Sequence, residues 1–189
     1  MISVELDKKV VPFVVRVNKH AKSMRLAVYL GGRFVVTVPP FVSESLIKKV
    51  LLEKARWIIE KIEYFKKFTP PKSTTISRLH YEKHRKKAQS FVEERVAYWN
   101  QFYGLKYQKI SVKNQKTRWG SCSKKGNLSF NYKILLLPPA FADYIIVHEL
   151  CHLKAFNHSK NFWSFVLQTM PQYKEIRKEL KQTALSSLF

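Results

Sequence analysis

Three runs near the start of the chain, PFVVRV (12–17), MRLAVYL (24–30) and RFVVTV (33–38), are short, rich in β-branched residues and alternate in places. That is the pattern of strands with one face buried. Gly31-Gly32, between the second and third, predicts a tight hairpin turn. Pro39-Pro40 ends the sheet, and Ser43 with Glu44 reads as the N-cap and first turn of a helix. The apolar face of that helix is Leu46, Val50, Ile58 and Ile62, with Trp57 beside them. KFTPPKSTT (67–75) interrupts the pattern with prolines and small polar residues and reads as a linker. A long polar helix is predicted over 77–103, closed by Gly104, with Val92, Val96, Trp99 and Tyr103 at helical spacing. Strand patterns return at KISVK (109–113), around Thr117 to Ser121 and at LSFNY (128–132), with KKGN (124–127) as a turn. They predict a small antiparallel sheet. Pro138-Pro139 opens a further helix with Asp143 near its positive end, Ser159 caps a short one, and Pro171 starts a last one through about Lys181. The expected class is α+β: a β-rich subdomain with one helix over 1–70, then a second domain over 75–189.

Composition narrows the class. The chain has 189 residues, 46% of them hydrophobic and 14% aromatic, enough for a sizeable core and against global disorder. The opening MISVELDKK lacks the apolar stretch of a signal peptide, and no apolar run approaches membrane-spanning length. Two cysteines, Cys122 and Cys151, make no disulfide framework. A soluble, cytoplasmic protein is expected. Charge changes the picture more. The net value is +22, with +9 over residues 1–75, +11 over 76–141 and only +2 over 142–189. A basic body of this kind attracts polyanions, nucleic acid among them.

The candidate chemistry lies in the nearly neutral segment. HELCHLKAFNH (148–158) holds three of the six histidines. Residues four apart share a helix face, so His148 and His152 can aim their imidazoles at one point, as two ligands of a tetrahedral zinc ion do. Glu149, about 100 degrees round the helix, stands beside such an ion and can move a proton between a water and a leaving group. His158 would lie about 15 Å along a straight helix, so the chain must turn back after about Phe156 for it to serve as the third ligand. Cys151 reads as a small buried apolar residue and Cys122 as a strand or turn residue. His20, His80 and His84 sit in polar contexts and receive no role. An oxyanion stabiliser is needed for acyl chemistry; Tyr173 and Arg118 are chemically capable of it.

The segments TRWGSCSKKGNLSFNYKILLLPP (117–139), DYIIVHELCHLKAFNHSKNFW (143–163) and MPQYKEIRKEL (170–180) closely resemble the YgjP-like predicted metal-dependent hydrolases, which are related to the WLM and SprT-like metalloproteases. Trp119 to Ser123, Asn131, Asp143, Tyr144, His148 to His152, Asn157 to Ser159 and Phe162-Trp163 fit the family pattern. Ala155 stands where the metzincin clan has glycine, which separates the chain from that clan. The resemblance implies a zincin-like catalytic domain with one zinc ion, the ligands His148, His152 and His158, and Glu149 as general base. It also implies that a substrate backbone adds to an exposed edge strand, for which 127–132, with Asn127, Ser129 and Asn131, is the candidate. The implied activity is zinc-dependent hydrolysis, of peptide bonds first. A metal-dependent nucleotide pyrophosphatase, or a nucleic-acid-binding protein with a structural metal, are the alternatives.

Overall fold

The computed structural model describes residues 2–68, 77–115 and 118–182. They form two compact units, one within residues 1–70 and one within 71–180. The linker expected at 67–75 falls mostly outside the described residues.

The first unit has strands β1 (Ile2–Leu6), β2 (Lys9–Val17), β3 (Arg25–Val28) and β4 (Phe34–Val38) in the order β1-β2-β4-β3. β1 has no counterpart in the expected strands. Its hairpin to β2 turns on Asp7 and Lys8, both at positive φ (45° and 64°), without the Asn-Gly or Gly signal that usually marks such turns. β2 and β4 run parallel, while β3 and β4 form the antiparallel pair expected across Gly31-Gly32. Helices α1 (Glu44–Glu53) and α2 (Ala55–Lys66) replace the single helix expected, because Lys54 leaves helical geometry at φ −106°, ψ 12°. Ser43 caps α1 by accepting from Leu46 N at 3.3 Å. Leu6, Phe34, Val36, Leu51, Ile58 and Phe65 form the core of this unit. A cavity of about 790 Å³ opens between one sheet face and α1, lined in part by Val4, Phe13, Val15 and Ile47.

The second unit starts with the long helix α3 (Ser77–Asn100), followed by β5 (Lys109–Lys113), β6 (Gly120–Cys122) and β7 (Asn127–Asn131). Then come α4 (Pro139–Cys151), α5 (Lys160–Thr169) and α6 (Tyr173–Gln182). The sheet order is β5-β7-β6, with β5 parallel and β6 antiparallel to β7. The expected wholly antiparallel sheet is therefore mixed, since the chain passes from β5 to the far lane before the β6–β7 hairpin returns it to the middle. The expected substrate edge is corrected by the same fact. The strand of Asn127, Ser129 and Asn131 is central and has both of its ladders occupied.

Side chains on the central strand hold the sheet instead. Ser129 Oγ lies 2.9 Å from Ser111 Oγ across the β5–β7 pair. Asn131, fully buried, donates from Nδ2 to the carbonyls of Gln115 (2.8 Å) and Arg118 (3.2 Å). It thereby fixes the segment that enters β6. The outer edge of β5 is closed by α3. Gln89 accepts from Val112 N at 3.1 Å and donates to Ile110 O at 3.3 Å, while Tyr81 donates to Val112 O at 3.0 Å. Among the described residues nothing pairs with the outer edge of β6, so this is the sheet's free edge.

α4 packs into the middle of the unit. Phe141, Ala142, Tyr144, Ile145, Ile146, Val147, Leu150 and Cys151 are all buried, so this helix is apolar on almost every side. A helix of that kind belongs to a core, and a polar residue on it needs a specific reason. Asp143 has one. Arg95 of α3 grips it with two bonds of 2.7 Å. His148 and Glu149 are the others. No helix of the described residues is long and apolar enough to cross a membrane.

Candidate metal centre

α4 delivers His148 and His152 one turn apart, and the helix then stops. Its last turn tightens, with Leu153 N bonding Leu150 O at 2.9 Å and Lys154 N bonding Cys151 O at 3.1 Å. The reversal comes earlier than the Phe156 expected from sequence, with His152 itself as the C-cap. The loop then brings His158 back to the helix. His158 Nε2 lies 3.0 Å from His148 Nε2, and His152 Nε2 lies 3.2 Å from it. Ligand atoms of all three fall within 4.8 Å of one another.

This spacing is the test of whether a metal fits. Nitrogens at 2.0–2.1 Å from a tetrahedral zinc are separated by about 3.3–3.4 Å, close to what the rings adopt. The His152 tautomer agrees as well. His152 Nδ1 lies 3.0 Å from the carbonyl of Ala155, which can only accept, so the proton sits on Nδ1 and the Nε2 lone pair faces the centre. Burial, followed by the neighbouring His152 and His158, pushes the pKa of His148 down to about 3, so its ring is neutral at any ordinary pH. Burial also lowers that of His158. Neutral imidazoles are the form that binds cations. The three residues fit a divalent transition metal.

An aromatic bed supports them. Phe162 of α5 lies under all three rings, at 4.9, 4.5 and 4.9 Å between centroids from His148, His152 and His158. Trp163 stacks on His158 at 5.7 Å and donates its Nε1–H to the His158 carbonyl at 3.1 Å. Tyr173 stacks in turn on Trp163, at 5.1 Å and 11° between planes, one ring removed from His158. Arg177 reaches the same tryptophan, 4.6 Å from its centroid.

Glu149 faces β6 and is only 7% exposed. A Cβ on Gly120 would lie 2.6 Å from its Cγ and 2.7 Å from Oε1, so the carboxylate occupies the space that any other residue at 120 would fill. Its Oε2 is buried without a hydrogen-bond partner among the described residues. Burial raises its pKa to about 8, against the opposing pull of the Arg118 charge. Arg118, exposed at the entrance to β6, is thus within electrostatic reach of the site.

Sequence reasoning named the three histidines and Glu149; the structure brings the histidine nitrogens together, while Glu149, next to His148 on α4, turns its carboxylate to Gly120 of β6. The same reasoning missed Gly120 and Arg177. The glycine of RWGSC was its own signal, a strand residue whose missing side chain marks a close approach. Cys151 is buried and Cys122 half-buried, and burial raises both thiols to about 11, which suppresses thiolate reactivity.

Residues 70–183 match the YgjP-like metallopeptidase-domain family. The chain belongs to that family. The matched residues contain every element of the metal centre, so the chain carries a metallopeptidase domain and is a metal-dependent peptidase by family. No curated protein matches it. Among solved structures it is similar to the metallopeptidase zymogen abylysin of Pyrococcus abyssi, at 28% identity over 48% of this chain and 93% of that one, with a TM-score of 0.44. The zymogen jannalysin of Methanocaldococcus jannaschii matches at 24% identity over 48% and 94%, with a TM-score of 0.43.

Proposed function

We propose that the protein is a zinc peptidase in which His148, His152 and His158 hold the metal and Glu149 is the general base. The observation that carries this reading is the convergence of three imidazole nitrogens, at 3.0 and 3.2 Å about His148 Nε2, next to a buried carboxylate. Zinc bound there supplies Lewis acidity and makes a water nucleophilic near neutral pH. Glu149 holds the proton that leaves the attacking water and returns it to the departing amine. Burial raises this carboxyl to about 8 in the metal-free site, and a divalent ion beside it would pull that value down, toward the ionised form a base needs. The substrate backbone lies along the free edge of β6, where Gly120 allows it close to Glu149. Arg118 is the better placed of the two candidate oxyanion stabilisers, since its charge reaches Glu149, whereas Tyr173 sits behind Trp163.

A second partner is favoured by the charge. Nucleic acid would be drawn to a chain of net +22, and binding that weakens steeply with salt would support it. We place the protein in the cytoplasm, where two free cysteines persist. The test of the main reading is elemental analysis beside a peptide-cleavage assay. Wild type and Glu149→Ala should each hold about one zinc per chain, with cleavage in wild type alone, while His158→Ala should lose metal and cleavage together. Cleavage surviving in Glu149→Ala would refute the base assignment, and full zinc in His158→Ala would refute the ligand set.

A further inference from the structure

The free edge of β6 leads into a basic turn. Ser123 to Gly126 closes the β6–β7 hairpin, with Gly126 N bonding Ser123 O at 2.9 Å and Ser123 N bonding Asn127 O at 3.0 Å. The start of β5 lies against this turn, since Gln108 N donates to Gly126 O at 2.9 Å and Lys109 stands opposite Asn127 in the parallel register. Lys106, Lys109, Lys124 and Lys125 therefore gather at one end of the sheet. All four are exposed, and among the described residues none has an ion-pair partner. From Arg95 to Ala142 the chain holds nine Lys or Arg and no Asp or Glu, so no acid from this sheet or its turns neutralises them.

A polypeptide added to β6 has to pass this cluster. β6 runs about 7 Å from Gly120, where Glu149 approaches, to Cys122, and Lys124 lies in the turn two residues past that end. An added strand is more stable antiparallel, which sets its N-terminal side against the turn. A nucleic acid could meet the charge but has no main-chain groups to pair with a strand edge. An acidic polypeptide meets both. We propose that the substrates are acidic polypeptide segments, with Asp or Glu on the N-terminal side of the cleaved bond, recognised by Lys124 and Lys125 with Lys106 and Lys109 behind them. The assignment rests on β6 as the substrate edge.

Two readouts test it. Fluorescein-labelled peptides of equal length, one rich in Asp and Glu, one neutral and one rich in Lys, are titrated against Glu149→Ala protein by anisotropy. K124E/K125E in that background should weaken the acidic peptide about tenfold, a cumulative effect of several exposed charge pairs. K19E/K22E, with the same change in net charge in the other unit, should change it less than about twofold. In the otherwise wild-type enzyme, K124E/K125E should lower kcat/KM for the acidic peptide by a similar factor and leave the neutral one unchanged. Equal losses in the two double variants would reduce the effect to overall charge and overturn the proposal. So would an acidic peptide that is cleaved, but no faster than the neutral one. A single-stranded oligonucleotide of equal charge that binds more tightly through the same lysines would overturn it in favour of nucleic acid. If no peptide were cleaved while the anisotropy contrast held, the peptidase reading would fail and acidic-polypeptide docking would stand.

Discussion

Replacing Glu149 by glutamine in the metal-free protein should stabilise the fold as pH rises, although it removes the proposed general base. The carboxyl is buried, its Oε2 has no partner among the described residues, and its pKa is raised from 4.5 to about 8. Between those values the folded chain binds more protons than the unfolded one, so stability falls as pH rises through the window. At about 1.4 kcal/mol per unit, ionising Glu149 in place would cost the metal-free fold about 4 kcal/mol at pH 8 and less than about 1 kcal/mol at pH 5. Glutamine fills the same space and cannot ionise. The stability gap between variant and wild type should therefore widen by about 3 kcal/mol between pH 5 and pH 8, or several degrees in Tm for a chain of this size. His148 works in the other direction, because its folded pKa of about 3 lies below its unfolded 6.5. It adds stability as pH rises between those values, but it does so in both proteins and cancels in the difference. Urea denaturation of chelator-treated protein, followed by tryptophan fluorescence at several pH values, measures the gap. Parallel stability curves for the two proteins would refute the argument, since they would mean that the folded protein does not hold Glu149 in a dry, unpaired position.

Gly120→Ala should impair turnover by about tenfold or more with zinc content unchanged, because a methyl group 2.6–2.7 Å from Glu149 must displace the carboxylate from β6. Wild-type cleavage in that variant would show that the close approach is not needed. Arg95→Ala should cost about 1–3 kcal/mol in denaturant unfolding, since it strips Asp143, on the otherwise apolar α4, of both 2.7 Å bonds. A loss below about 0.5 kcal/mol would mean that water replaces the arginine freely.

How far the sequence carries depends on the range of the interactions involved. The metal centre was legible because its key contacts are local. His148, Glu149 and His152 lie within one turn of helix, and α4 declares its burial through a nearly continuous apolar sequence before them. The position of His158 followed from reach alone, although the helix ends five residues sooner than that argument suggested. Sheet order was not legible. Strand patterns at 109–113 and 128–132 specify pleats but not neighbours, and the parallel pairing of β5 with β7 arises from chain passage outside either strand. The β1–β2 hairpin escaped notice because Lys8, where a glycine would mark such a turn, adopts a left-handed conformation that its residue type does not advertise. Gly120 could be read as a close approach, but its partner, 29 residues on, could not be named before the fold was known.

The two edges of the small sheet are treated oppositely, and this difference joins fold to function. A free strand edge invites pairing with any extended chain, including another copy of the protein. On β5 that exposure is removed by side chains of α3, with Gln89 and Tyr81 taking the places of a neighbouring strand. β6 is left open but is only three residues long, too short to serve as a general template. A peptide that pairs there gains few main-chain bonds, so its residence must be set by what lies at the two ends. At one end are Arg118 and Glu149; at the other are Lys124 and Lys125. A short open edge between a buried carboxylate and a basic turn would select extended, acidic segments without strongly binding folded proteins. Selection for extension would come from the strand geometry, and selection for charge from the lysines, so the two should be separable by mutation.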